Sequence, residues 1–147
     1  MTTAARRIFI AIALLSGAGI VVSSISLYHH YGSDKSSFCD FGGNLNCDIV
    51  NRSTYSTALG IPVALIGVLG YAALLALATV YRSGRETPSM LLIASLGGLG
   101  FALYLTYIEA YVLAAWCVLC LSSLALISLI AALSVFLAVA GMRKKER

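Results

Sequence analysis

The sequence predicts an all-α integral membrane protein, a four-helix bundle with a short interfacial helix in its first outer connection. Three observations lead there. Hydrophobic residues make up 60% of the 147 positions and charged residues only 11%, against about 45–50% and about 25% in soluble domains. Four stretches, residues 8–28, 61–81, 89–112 and 118–142, carry almost no charge. Each reaches the roughly 20 residues that a helix needs to cross about 30 Å of hydrocarbon. The basic residues fall in alternate connections between these stretches, the pattern of a chain whose positive segments stay inside.

The first span, 8–28, follows Arg6 and Arg7. Its apolar run outlasts the roughly 7–15 residues of a signal-peptide core, so the sequence predicts a retained helix. Residues 29–60 form the long outer connection. Its segment "SSFCDFGGNLNC" is rich in Gly, Ser, Asn and Asp and predicts turns. The next segment, "DIVNRSTYSTALG", mixes apolar and polar residues and predicts a short amphipathic helix lying on the membrane surface. Gly60 ends that helix, and Pro62 opens the second span, 61–81, where a missing N–H is tolerated.

Arg82 and Arg85 separate the second span from the third, 89–112. There Ala94, Gly98 and Ala102 recur every fourth residue, which lets neighbouring membrane helices approach closely. A tight turn at residues 113–116 leads into the fourth span, 118–142, and Arg143, Lys144, Lys145 and Arg147 follow it. Of the ten basic residues only Lys35 and Arg52 lie in the other connections. The whole chain, 1–147, therefore reads as one membrane domain with cytoplasmic termini and an extracytoplasmic loop at 29–60.

The net charge of +4 anchors topology and does not form the basic, aromatic-interleaved stripe of a nucleic-acid surface. The chain also lacks the nucleophile elbow, Walker loop, H-E-x-x-H and dinucleotide signatures, which leaves hydrolase, nucleotide and nicotinamide roles without support.

All four cysteines, Cys39, Cys47, Cys117 and Cys120, lie on the outer side or at its boundary. An even number of thiols facing an oxidising compartment points to disulfide chemistry. Cys117 and Cys120, in "AWCVLC", stand at i and i+3 where the fourth span begins, on one helix face and near enough to bond. Unpaired N–H groups at that helix start favour a thiolate, the form that attacks disulfides and electron-poor rings. Cys39 and Cys47 are joined by a flexible segment that closes either as a static staple or as a labile couple. Facing a helix-end pair, a labile couple makes a thiol relay. The C-x7-C spacing departs from zinc-knuckle spacing, so no metal is expected.

Cys39, the stretch "NCDIVNRSTYSTALGIPVALIGVLGY" from Asn46 to Tyr71, and "YLTYIEAYVLAAWCVLC" from Tyr104 to Cys120 together resemble the vitamin K epoxide reductase family in its bacterial-type, stand-alone membrane form. The resemblance covers nearly the whole chain and implies a bundle around a quinone in the bacterial inner or cell membrane. It implies a quinone-dependent thiol–disulfide oxidoreductase of DsbB-like function. A separate thioredoxin-like extracytoplasmic disulfide carrier delivers electrons at Cys39; Cys47 attacks Cys117; Cys120 passes the electron pair to the ring; Ser53 supports the site. DsbB itself carries its C-x-x-C in the first outer loop, whereas here the motif starts the last helix. Leu124 and Val63 replace the tyrosine and asparagine of the vertebrate branch, which implies ubiquinone or menaquinone as the acceptor and not an epoxide. The competing reading is a non-catalytic four-helix membrane protein with a structural loop disulfide.

Glu109, near the outer end of the third span, offers a proton route for the reduced quinone or a carboxylate that reaches to the interface. Tyr104, Tyr107 and Tyr111 predict an aromatic belt in contact with lipid. His29 and His30 mark the end of the first span, and Trp116 reads as an interfacial anchor or a cover for Cys117.

Overall fold

The computed structural model describes residues 2–32, 40–43 and 45–145. Its elements are α1 (Thr3–Tyr31), the strands β1 (Asp40–Gly42) and β2 (Leu45–Asn46), and α2 (Cys47–Asn51). After a 3-10 turn at Thr54–Ser56 come β3 (Thr57–Ala58), β4 (Ile61–Pro62), α3 (Val63–Thr79), α4 (Thr87–Ile108) and α5 (Val118–Lys145). Long helices dominate and the strands are fragments, so the fold is the expected all-α bundle. The helices close a ring in the order α1, α3, α4, α5 and back to α1.

Three helical segments, Thr3–Tyr31, Thr87–Leu113 and Val118–Arg143, are long and apolar enough to cross a membrane. The apolar helix α3 is shorter, at 17 residues, about 26 Å at 1.5 Å per residue. It is shorter than the expected 61–81 because Ile61 and Pro62 pair with Ala58 and Thr57 as a hairpin, and Pro62 then caps α3 without entering it. The hairpin turns on Leu59 (φ 54°) and Gly60 (φ 81°), two left-handed residues matching the twist of a two-residue turn. Large apolar side chains such as Leu14, Leu69, Ile93 and Phe136 face outward from the bundle, a surface suited to hydrocarbon and not to water.

One end of the bundle is solid. Phe9 and Ile12 of α1, Leu74 and Ala78 of α3, Leu91 of α4, and Ile127, Ile130 and Leu137 of α5 form its core. Close approach is set by small residues. A Cβ on Gly19 would stand 2.3 Å from the Tyr71 ring, and one on Gly67 would stand 2.8 Å from Ser23 Oγ. Gly98 meets Ile127 of α5, in keeping with the expected packing role of the Ala94–Gly98–Ala102 row. Buried hydroxyls close back on their own helix: Ser95 Oγ donates to the Leu92 carbonyl (3.0 Å) and Ser134 Oγ to the Ile130 carbonyl (2.8 Å).

The other end is hollow. Between α1, α3, α4 and α5, beneath α2, lies a mainly apolar cavity of about 360 Å³. The surface helix above it is shorter than the sequence predicts. It already begins at Cys47, capped by Asn46, whose side chain accepts from the N–H groups of Asp48 (3.0 Å) and Ile49 (3.2 Å). It stops at Asn51 because the following hydroxyls compete for backbone groups. Ser53 Oγ donates to the Val50 carbonyl (2.8 Å), and Ser56 Oγ to the Ser53 carbonyl (2.7 Å).

Candidate redox site

The site begins with a backbone contact. The Asn46 N–H donates to the Trp116 carbonyl (3.1 Å), and Leu45 and Trp116 form a short parallel bridge. The residues that follow each strand of this bridge, Cys47 and Cys117, thus come together at the wall of the bundle. They belong to one buried cluster with Val50 and Ala115, against which Leu113, Leu119 and Cys120 pack. Cys47 is 1% exposed and Cys117 0%.

The approach to Cys117 is shaped by the end of α4. Glu109–Leu113 continues that helix as one wide π turn, which closes on Ala114 in the left-handed region (φ 49°, ψ 31°). The Ala115 N–H reaches back to the Glu109 carbonyl (3.2 Å). The expected turn at residues 113–116 is thus preceded by an extra-wide helical turn, a form frequent at functional sites. It carries Glu109 inward, so that Glu109 is 2% exposed and does not extend to the interface. Its Oε2 accepts from the Cys117 N–H (3.1 Å). Its Oε1 is buried without a well-formed hydrogen bond, and the Cys120 thiol is the side chain that interacts with the carboxyl.

Cys117 ends the connection, and its carbonyl accepts from the Leu121 N–H (3.0 Å) as the first bond of α5. Cys117 and Cys120 carry free thiols. The Cys117 thiol engages both Cys120 and Cys47, and its pKa is pushed up, chiefly by the hydrogen bond with Cys120, with burial adding to the effect and the Cys47 contact opposing it. Around Cys117, the Cys120 thiol and burial oppose the thiolate that the helix start was expected to favour in one of the pair.

The cavity opens beside these thiols. Cys120, Glu109 and Ser123 line it together with Ser26, His30, Asn51 and Ser53. The apolar walls include Val22, Val50, Val63, Ile66, Phe101 and Ile127. Tyr71 at the deeper wall donates to the Ser123 carbonyl (2.9 Å). The structure thus brings together Cys47, Cys117, Cys120 and Glu109, with Ser53 at the cavity's rim, whereas Cys39 lies outside the described residues. Among the described residues no cluster of three or more His, Cys, Asp or Glu is arranged to hold a metal ion.

Tyr104, Tyr107 and Tyr111 face outward, with Tyr107 and Tyr111 stacked at 4.9 Å between centroids. They form the belt expected of them and not a cavity wall. Trp116 contributes its backbone to the site through the bond from Asn46.

Two cavity residues escaped the sequence reading. Asn51 looks like one more polar position of the predicted surface helix, yet it is 6% exposed. His30 looks like a boundary marker, yet its Nδ1 donates to the Asn51 carbonyl (2.6 Å). The signal for both is a row of small and polar residues in α1, namely Ser16, Gly19, Ser23, Ser26 and His30. Its alternating three- and four-residue spacing keeps it on one face of the helix. Such a row in a membrane helix marks the face turned to protein.

The sequence model of the vitamin K epoxide reductase family matches residues 10–135, nearly the whole bundle and every described cysteine. This chain belongs to the vitamin K epoxide reductase family and is, with it, a membrane thiol–disulfide oxidoreductase.

Proposed function

We propose that the protein reoxidises a reduced thioredoxin-like carrier outside the cytoplasm and passes the electron pair through two cysteine couples to a quinone. The observation that carries this reading is the position of Cys117, buried between Cys47 on one side and Cys120 on the other. Of these three thiols, Cys120 lines the cavity.

The carrier's dithiol gives its electrons to the Cys39–Cys47 couple, leaving Cys47 as a thiolate. That thiolate attacks Cys117 in the oxidised Cys117–Cys120 pair. The Cys47–Cys117 bond forms, the Cys117–Cys120 bond breaks, and the electron pair departs on Cys120. Cys39 then resolves the mixed disulfide by bonding to Cys47, and Cys117 is released as a thiol. The pair is now fully reduced and holds both electrons.

The cavity fits a quinone, since it joins an apolar enclosure of about 360 Å³ to a few polar groups near the thiols. When bound, a ubiquinone or menaquinone supplies a two-electron, two-proton acceptor. Reoxidation of the dithiol to the Cys117–Cys120 disulfide releases two electrons and two protons, and the quinol carries both away. Glu109 stands beside Cys120 and takes the thiol proton, a buried relay for one of the two. Ser53 keeps α2, and with it Cys47, in place through its bond to Val50.

The test is anaerobic turnover with a reduced thioredoxin-like protein and a short-chain quinone. Quinol should appear in proportion to carrier oxidised, and Cys117→Ser should abolish it. Quinol formation at the normal rate in Cys117→Ser would overturn the relay.

A further inference from the structure

Asn51 is the most informative polar group in the cavity. Its backbone carbonyl is engaged by His30 Nδ1 (2.6 Å), and its side-chain Oδ1 accepts from Ser26 Oγ (2.9 Å). Both partners belong to α1: His30 holds the backbone of Asn51, and Ser26 holds its side-chain oxygen and so orients the amide. Its remaining polar atom, Nδ2, is buried and has no hydrogen-bond partner. Leaving a donor unpaired in an apolar interior is costly, and native structures keep few such groups without a reason. Ser26 and His30, which hold Asn51, line the same cavity with it, as do the apolar Val22, Val50 and Val63. Any occupant that satisfies Nδ2 must therefore present a hydrogen-bond acceptor on an otherwise apolar body.

We infer that Asn51 recognises the electron acceptor, its side-chain amide donating a hydrogen bond to a carbonyl oxygen of the bound quinone. This rests on the reading that the cavity holds a quinone, and it assigns a residue that no motif in the chain announces. The donor acts twice. In the resting quinone it fixes which way the ring lies. As the electron pair arrives, negative charge grows on that oxygen, and a donor already oriented by Ser26 stabilises it without reorganisation. No covalent change occurs at Asn51; the electrons come from the Cys117–Cys120 dithiol as balanced above.

The experiment measures menadione binding to the oxidised protein, with no thiol donor present, by quenching of Trp116, the single tryptophan. Turnover with the reduced carrier is measured alongside. Asn51→Leu removes the amide, Asn51→Asp keeps its shape without the donor, and Ser26→Ala frees its orientation. The ring hydrocarbon 2-methylnaphthalene, which has no oxygen, serves as a competitor.

Asn51→Leu and Asn51→Asp should weaken menadione binding about 10-fold or more, and should lower kcat/KM for menadione by about 100-fold, the loss typical of removing one such donor. Ser26→Ala should show a smaller loss in the same direction. The affinity of 2-methylnaphthalene for Asn51→Leu should stay within about 2-fold of wild type, and so should capture of the Cys47–Cys117 mixed disulfide. Unchanged menadione binding in both Asn51 variants overturns the inference while leaving the quinone reading intact. An equal loss for menadione and the hydrocarbon also overturns it, because that shows collapse of the cavity. If the wild-type protein neither binds nor reduces menadione or ubiquinone-1, the quinone reading fails and takes this inference with it.

Discussion

The backbone N–H of Asn46 donates to the carbonyl of Trp116 over 3.1 Å, and this contact sets Cys47 and Cys117 side by side. The relation is one of register. A shift of one residue on either segment would present Asn46 or Asp48 to the sulfur of Cys117.

Asn46→Pro removes that N–H and conflicts with the extended φ of −144° at this position. In a Cys120→Ser background, mild oxidation should then yield at least about 10-fold less Cys47–Cys117 crosslink, as expected for losing more than one hydrogen bond's worth of positioning. Asn46→Ala keeps the backbone bond and loses only the helix cap, so it should cost about 1 kcal/mol of stability and leave the crosslink. Non-reducing mass spectrometry of both variants checks the pair. Equal yields would remove the registering role of the bond.

In the proposed relay Glu109 has two separable tasks. Glu109→Gln preserves an acceptor for the Cys117 N–H but cannot carry a proton. Carrier exchange should persist while quinone reduction falls about 100-fold, the lower range for losing a general acid–base group. Glu109→Leu loses both tasks and also leaves a buried N–H unpaired, a further cost of about 1–3 kcal/mol. Single-turnover kinetics and thermal unfolding in detergent separate the two effects. Normal quinone reduction in Glu109→Gln would remove the proton role.

The raised pKa of Cys117 carries a sign that alkylation reads. A raised pKa means less thiolate at any given pH, so reduced Cys117 should label slowly at pH 8 and faster only under more alkaline conditions. Its chief cause is the hydrogen bond with Cys120. Cys120→Ala should therefore shift the alkylation profile of Cys117 toward lower pH. An unchanged profile, read by mass spectrometry of iodoacetamide adducts, would assign the effect to burial instead.

Gly19→Ala tests the solid end of the bundle. The added methyl meets the Tyr71 ring at 2.3 Å, and overpacking of this kind costs about 1–3 kcal/mol. Gly17, two residues away, has nothing within 4 Å of its Cβ position. Gly17→Ala should be neutral or stabilise by about 0.5–1 kcal/mol. Comparing the two unfolding midpoints in detergent isolates the packing effect from helix propensity.

What the sequence made legible follows from bulk solvent. Long uncharged runs separated by arginines give the helices and the bundle, because hydrocarbon leaves the backbone few alternatives. The spacing of Cys117 and Cys120 at a span boundary likewise announces redox chemistry. The rest depends on individual hydrogen bonds and contacts that hydropathy does not encode. The surface helix stops at Asn51 because Ser53 and Ser56 draw backbone carbonyls to their hydroxyls. The wide turn at Glu109–Leu113 ends on Ala114 in a left-handed conformation, with no glycine to signal it. Asn51 reads as a polar position of the predicted surface helix, and only the closure of α2 over the bundle turns it inward. Of the two partners of the Cys117 thiol, Cys120 stands in the motif itself, and only Cys47, which arrives from α2, is hidden from the sequence.

The complete burial of Cys117 has a consequence for traffic with the surrounding medium. A sulfur with no accessible surface meets small dissolved reductants and stray peroxides only when the cluster around it opens. In the proposed relay, electrons held there would thereby be shielded from the general thiol pool.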